Sequence, residues 1–212
     1  GFCAVFQSAL KTTHTDYKKL KQSVITQAVT KGVRGEREMK DSKVEWIGEI
    51  PKEWSISPIK YVSDFEPSCN TSRLTPESVI TYSPMECIKN GFFEHRSALY
   101  GALSHTLTPF QNGDIVMAKV TPCFENGNIS IMENLESGYG LGSSELFVFR
   151  PQNIFTQYLF YWLQNQSFVA PIRKLPCFFN VKRKLAALYV SPKRLVIFFM
   201  TLFMILKQKS ST

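Results

Sequence analysis

The stretch that most constrains this fold is residues 113–131, Gly-Asp-Ile-Val-Met-Ala-Lys-Val-Thr-Pro-Cys-Phe-Glu-Asn-Gly-Asn-Ile-Ser-Ile. Asn112-Gly113-Asp114 is a turn signal, because Gly and Asn reach positive φ at little cost. Residues 115–120 are β-rich and predict a buried strand. Thr121-Pro122 ends it, since Pro has no N–H to give a ladder. Residues 124–127 turn the chain, and residues 128–132 alternate polar and apolar as a return strand does. The product is strand, polar loop, strand. Thr121, Glu125, Asn126 and Asn128 lie on the loop and Lys119 just before it. A polar loop carried by a sheet is a usual place for binding residues; the same spacing also suits an ordinary long hairpin.

The rest of the chain supplies a domain around this unit. Residues 17–31 predict a helix, with Tyr17, Leu20, Val24 and Ala28 on one face and Ile25 and Val29 widening it. Gly32 is a reasonable stop. So short a helix needs a partner helix or a domain surface to pack on. Residues 33–43 are charged and turn-prone and read as a linker. Trp46 and Trp54 then flank a Gly and a Pro in an extended segment pinned by aromatic anchors. Residues 57–65 are a short helix candidate, with Pro58 in its first turn. Residues 79–94 read as a hairpin turning at Lys89-Asn90-Gly91, and residues 98–112 as irregular. Beyond the central unit, residues 138–144 give a Gly-rich approach to a strand at 145–150, stopped by Pro151. Residues 156–168 predict a helix with Leu159, Phe160, Leu163 and Phe168 as its buried stripe. Mixed strands and helices imply an α+β domain with a curled mixed sheet and flanking helices.

Charge divides the chain. The formal net charge is +8, yet no Asp or Glu follows Glu145, and residues 146–212 hold ten of the 25 Lys and Arg. The part before is near neutral, with 15 basic and 17 acidic residues. A basic region suggests nucleic acid, an acidic partner or an anionic membrane, and equally a solvated face or tail. Residues 195–206 are almost wholly apolar. Twelve residues fall short of the ~20 needed to cross a bilayer; a buried core helix and a non-native tail are both open readings.

Catalytic signals are poor. His14, His95 and His105 sit at no metal or triad spacing. The five cysteines, Cys3, Cys69, Cys87, Cys123 and Cys177, form no Cys-x-x-Cys pair, so no zinc site is suggested and free thiols are expected. Glu38-Met39-Lys40 has the Glu-x-Lys spacing of many metal-dependent nucleases but lacks a paired Pro-Asp before it. No phosphate-binding Gly-Lys-Ser or Gly-Lys-Thr loop occurs. Gly138-Tyr-Gly-Leu-Gly142 lacks the strand–loop–helix setting of a dinucleotide site. No basic-then-apolar leader is visible, and no signal peptide is expected.

Several blocks, in order, carry a resemblance. Val44-Glu-Trp-Ile-Gly-Glu-Ile-Pro-Lys-Glu-Trp54 resembles the opening of a target-recognition domain in the specificity subunit of type I restriction–modification enzymes. Gly113-Asp-Ile-Val-Met-Ala-Lys-Val-Thr-Pro-Cys-Phe-Glu-Asn-Gly127 is similar to its central block. Gly142-Ser-Ser-Glu-Leu-Phe-Val-Phe-Arg-Pro151 resembles the following strand, and Tyr158-Leu-Phe-Tyr-Trp-Leu163 the closing helix. Leu20-Lys-Gln-Ser-Val-Ile-Thr-Gln-Ala-Val-Thr-Lys-Gly32 is similar to the end of the preceding spacer helix. The resemblance divides the chain into an unassigned segment (1–16), the end of a coiled-coil spacer helix (17–32), a linker (33–43), one target-recognition domain (44–170) and an atypical basic, apolar tail (171–212). The tail suits translation out of frame, so a disrupted gene is an expectation, tested by reading the other two frames.

The resemblance implies a role. A full subunit carries two recognition domains, each reading half of a split sequence in double-stranded DNA, spaced by two long helices that dock methyltransferase subunits. It performs no chemistry itself. S-adenosylmethionine belongs to the methyltransferase subunits, and ATP with Mg to the restriction subunit. Pairing of two copies of a one-domain chain is a further expectation, and the location is cytoplasmic. Sequence-specific binding needs Lys and Arg on phosphates and amides or hydroxyls on base edges. The candidates are Lys119, Asn126 and Asn128, then Lys89 and Asn90, then Arg73 and Arg96, with Leu20, Val24 and Ala28 as the subunit-contact stripe. A competing expectation, from the tail alone, is a peripheral membrane protein.

Overall fold

The computed structural model describes residues 16–17, 19–33, 37–45, 47–104, 106–120, 123–124, 126–165 and 189–191. The expected buried strand is there: β8 (Ile115–Ala118), buried at all four positions, pairs antiparallel with β9 (Ile129–Ile131) in the register Ile115↔Ile131 to Met117↔Ile129. Gly113 (φ 89) makes the turn before it, and Leu135 N–H donates to Asn112 Oδ1 at 3.0 Å across the far end. On its other side β8 pairs antiparallel with β11 (Leu146–Pro151), and β11 with β4 (Ser63–Phe65), so this sheet runs β4-β11-β8-β9.

Side-chain parity along β8 and β11 decides the packing, because successive residues face opposite sides of a sheet. Ile115, Met117, Phe147 and Phe149 enter a core with Trp54, Tyr158, Leu159 and Trp162. Val116, Leu146 and Val148 enter a second core with Ile88, Phe110, Met132 and Leu135. A strand buried on both faces reads as a continuous apolar run, and Ile-Val-Met-Ala is one.

The first core is roofed by two helices, α1 (residues 19–30) and α2 (Thr156–Gln164). On α2, Tyr158, Leu159, Phe160, Trp162 and Leu163 are buried. The helix stops at Gln164, and the expected Phe168 lies outside the described residues. On α1 the buried residues are Ile25, Ala28, Val29 and Thr30, whereas Tyr17, Leu20 and Val24 are exposed. The helix is therefore built into the domain. Tyr158 Oη donates to Val29 O at 2.9 Å, and Gln22 Nε2 donates to Gln164 O at 3.1 Å.

The second sheet runs β6-β5-β10-β7. β5 (Val79–Ser83) pairs antiparallel with β6 (Ser97–Leu99) and parallel with β10 (Tyr139–Gly142); β10 pairs antiparallel with β7 (Thr108–Gln111). Two short pairs complete the described strands. β1 (Met39–Asp41) is antiparallel to β2 (Glu49–Pro51), and β3 (Ser55–Ser57) to β12 (Tyr189–Ser191).

The α+β class holds, and several local expectations change. Residues 33–43 are not simply a linker: β1 lies within them. Its Lys40 and Asp41 stay exposed while its backbone pairs with β2, so charge there reflects an edge strand. Residues 57–65 are not a helix. Pro58 starts a single 3₁₀ turn (Ile59–Tyr61), which Val62 ends at φ −127°, and residues 63–65 are drawn into the sheet by β11. The turn at residues 89–92 forms, with Lys89 N–H on Phe92 O at 2.9 Å, but β5 pairs with β6 rather than with residues beside that turn. Residues 98–112 contain β7 and part of β6.

The Gly-rich segment is itself strand β10. A Cβ on Gly140 would run into the Phe110 ring, and one on Gly142 would lie 2.7 Å from Ser83 O. These glycines are where a neighbouring ring and backbone approach closely.

Candidate nucleic-acid interface

The end of the β4-β11-β8-β9 sheet that follows β8 gathers loops from four parts of the chain. The β8–β9 loop closes on itself through Asn128 N–H to Cys123 O (3.0 Å) and Gly127 N–H to Phe124 O (3.1 Å), with Gly127 at φ 70°. Phe124 is buried, anchoring the loop in the first core. The turn at residues 88–93 is laid against it: Ile129 N–H donates to Lys89 O at 3.1 Å, and Gly91 N–H donates to Ile129 O at 2.9 Å. The last turn of α2 joins them, with Gln164 Nε2 donating to Asn90 Oδ1 at 3.1 Å. Finally α1 reaches α2 through Gln22, as above, and through Thr26 Oγ1 on Asn165 Oδ1 at 3.2 Å.

Of the expected site residues, Asn90 and Asn126 are exposed and Asn128 is half-buried, and the loop contacts bring all three to this one end. Lys89 is there too, half-buried and paired with Glu94 at 3.4 Å. Three amides within one loop cluster are groups of the kind that pair with base edges, donating through nitrogen and accepting through oxygen.

Lys119 sits at the root of the loop but is occupied. Its Nζ donates to Ser144 O at 2.8 Å, pairs with Glu66 at 3.2 Å and lies 5.0 Å from the centroid of the Phe147 ring. With 17% of its side chain exposed, it braces the loop to β11 and the residues after β4. Replacing it with Met is expected to lower stability by about 1–2 kcal/mol, mostly through the charged hydrogen bond to Ser144. Chemical denaturation is the measurement, and an unchanged stability would contradict the bracing role.

Arg73 and Arg96 are exposed on other segments. Arg96 pairs with Glu86 at 3.6 Å, and among the described residues Arg73 has no ion-pair partner. The structure does not join either to the amide cluster through a described hydrogen bond. Of the proposed subunit-contact stripe, Leu20 and Val24 face outward and Ala28 is buried at 4% exposure, so Ala28 belongs to the domain core. Along α1 an open groove of about 640 Å³ is lined by Lys19, Gln22, Ser23, Thr26, Gln27 and Lys31, together with Thr30.

At the opposite end of the same strands is a feature that sequence reasoning missed. Asp114, 1% exposed, receives Arg150 bidentately, Nε to Oδ1 and Nη2 to Oδ2, both at 2.9 Å. Asp114 Oδ2 also accepts Gln111 N–H at 2.9 Å. Arg150 donates further to Ser68 O (2.9 Å) and Cys69 Sγ (3.2 Å), pinning the loop after β4. Burial raises the Cys69 thiol above its ordinary range, against the opposing influence of Arg150. Cys69, Cys87 and Cys123 are free thiols. Among the described residues no group of His, Cys, Asp and Glu is placed to hold a metal ion, and no helix is long and apolar enough to cross a membrane. His14, His105, Trp46, Thr121, Glu125 and the apolar run at 195–206 lie outside the described residues.

Comparison with known proteins gives a consistent picture. No family model matches the chain. Over 106 residues, 49% of this chain, it is 33% identical to the specificity subunit of the type I restriction enzyme EcoEI of Escherichia coli. Over the same length it is 34% identical to the specificity subunit of EcoAI, also of Escherichia coli. Each match covers 18% of the relative, so the chain spans only part of these proteins. The fold is similar to the HsdS subunit of Thermoanaerobacter tengcongensis, with a TM-score of 0.52 at 13% identity over 87% of this chain and 41% of that one. It is also similar to a chain from a structure of type I restriction–modification complex assembly, with a TM-score of 0.61 at 12% identity over 97% of this chain and 47% of that one.

Proposed function

We propose that this chain, which shares sequence with type I restriction specificity subunits over half its length and their fold over most of it, is a DNA-recognition module of such a system. The observation that carries the reading is the convergence of Asn90, Asn126 and Asn128 at one end of the matched fold. The module directs chemistry done elsewhere. In this reading it delivers methyltransferase and restriction subunits to a half-site in double-stranded DNA, in the cytoplasm. S-adenosylmethionine, ATP and Mg belong to those partners.

The internal pairing of Lys89, Lys119 and Arg96 with Glu94, Glu66 and Glu86 supports weak binding by the chain alone. Counterion release by free Lys and Arg is the main source of sequence-independent affinity, and these three candidate cations each have a neighbouring carboxylate. Partner subunits would supply further phosphate contacts. Exposed Leu20 and Val24 on α1 offer an apolar strip to them, or to a second copy.

The test is selection from a randomised duplex pool by the chain co-expressed with the adjacent methyltransferase subunit. Enrichment of one short half-site is expected, and a split palindrome would add self-pairing. Recovery of an unselected pool by a stable complex would refute the reading. Within the enriched site, Asn126→Ala or Asn128→Ala should cost about 1–3 kcal/mol and relax preference at one base pair. Equal weakening on every sequence would remove that residue from base reading.

A further inference from the structure

We infer that Lys19, at the start of the groove along α1, holds a backbone phosphate of the duplex whose bases face the amide cluster. The inference rests on the DNA-recognition reading and extends it from base edges to the sugar–phosphate wall beside them.

The first observation is charge that is not spent. Lys89, Lys119 and Arg96 each have a carboxylate within 3.6 Å. Lys19 is exposed and, among the described residues, has no ion-pair partner. Residues 17–31 contain no Asp or Glu at all. The described residues lining the groove are lysines, glutamines, serine and threonines, with no carboxylate among them. A lining that is cationic and rich in hydrogen-bond donors suits an anion such as phosphate. Such a cation releases counterions when it meets a phosphate, and one already neutralised by a neighbouring carboxylate has less to release.

The second observation is where this cation sits. Gln22 and Thr26 line the same groove as Lys19. Both are tied to the end of α2: Gln22 Nε2 donates to Gln164 O at 3.1 Å, and Thr26 Oγ1 bonds Asn165 Oδ1 at 3.2 Å. The side-chain head of Gln164 in turn lies 3.1 Å from that of Asn90. The groove therefore opens beside the amide cluster at its Lys19 end. Lys19 stands three residues before Gln22, about 4.5 Å along the axis and on the same face. The opposite end of α1 lies elsewhere, because Val29 O accepts Tyr158 Oη from the first turn of α2. Lys31, in the same groove, is about 18 Å along the helix from Lys19. The major groove of DNA is about 12 Å wide, so an amide reading a base edge has a phosphate wall close on either side. A lysine one helical turn from the amide-bearing end, on a long flexible stem, is placed to meet that wall.

The experiment uses the chain co-expressed with the methyltransferase subunit and the half-site enriched by wild type. Affinity is measured from 50 to 200 mM salt for wild type, Lys19→Gln, Lys19→Arg and Lys31→Gln. Lys19→Gln should weaken binding to every sequence alike and reduce the log–log salt slope by about one. Its deficit at 50 mM salt should shrink about 3.5-fold by 200 mM. Lys19→Arg should keep the wild-type slope, and so should Lys31→Gln. An unchanged slope for Lys19→Gln overturns the inference and leaves the recognition reading intact. So does an equal fall for Lys31→Gln, which would make the effect one of net charge without a located contact. Loss of the methyltransferase complex with Lys19→Gln would place that side chain against protein and also overturn it. Failure of wild type to enrich any sequence removes the reading and the inference together.

Discussion

Replacing Arg150 with Met lowers the stability of this domain by about 3–5 kcal/mol, the usual result of removing one partner from a buried ion pair. The carboxylate left behind is 1% exposed and would keep only the Gln111 N–H as a described partner. Lys at this position recovers little, because a single ammonium cannot reproduce the parallel Nε and Nη2 bonds to the two Asp114 oxygens. The loss has a second part, since Arg150 also holds Ser68 O and Cys69 Sγ. Adding Asp114→Asn to Arg150→Met should restore a portion by discharging the buried oxygen pair, and the double-mutant cycle isolates that portion. Urea denaturation of the four proteins is the measurement. A loss under about 1 kcal/mol for Arg150→Met would show the pair to be no more than a surface bridge.

Trp54→Ala is expected to cost a similar amount, about 3–5 kcal/mol. The indole is 2% exposed and belongs to the same core as Ile25 and Val29 of α1 and Tyr158 of α2. A Cβ on Gly32, just beyond α1, would lie 3.3 Å from its Cζ2, so the ring closes over the helix exit. The energetic loss should therefore be shared. Hydrogen exchange of residues 19–30 should accelerate together with that of β8 and β11. Acceleration of the sheet alone, with α1 unaffected, would mean that the helix is an independent appendage.

What the sequence could and could not disclose follows from the range of the interactions. β8 was legible because four apolar residues in a row, preceded by Asn-Gly-Asp and followed two residues on by Thr-Pro, leave few alternatives to a doubly buried strand. The α2 stripe was legible because helical periodicity is local. β1 was not, since its partner is β2 and two of its three side chains, Lys40 and Asp41, are charged and exposed. β10 was hidden because glycine is a poor strand former; the need for glycine arises only from the Phe110 ring, contributed by another strand. On α1 the apolar stripe was seen, but which half of it turns inward was set by Trp54 and Tyr158, and these chose Ile25, Ala28 and Val29 over Leu20 and Val24.

The candidate site divides in the same way. Amides on turns can be named from sequence, and Asn90, Asn126 and Asn128 do come together. Whether a lysine is free cannot be named, because its partner is remote. Lys119 finds Ser144 O, 25 residues on, and Glu66 from the segment after β4. Gln164 carried no signal at all, since its hydrogen bond to Asn90 spans 74 residues.

The central claim, that this loop cluster is the surface that meets DNA, is tested most directly by photo-cross-linking. A duplex carrying the enriched half-site with a photoreactive base would be irradiated in complex with the chain and its methyltransferase subunit, and the attached peptides identified by mass spectrometry. Cross-links within residues 89–92 and 123–128 are the expected result. Cross-links confined to the segments around Arg73 and Arg96, or to the methyltransferase subunit alone, would contradict the account.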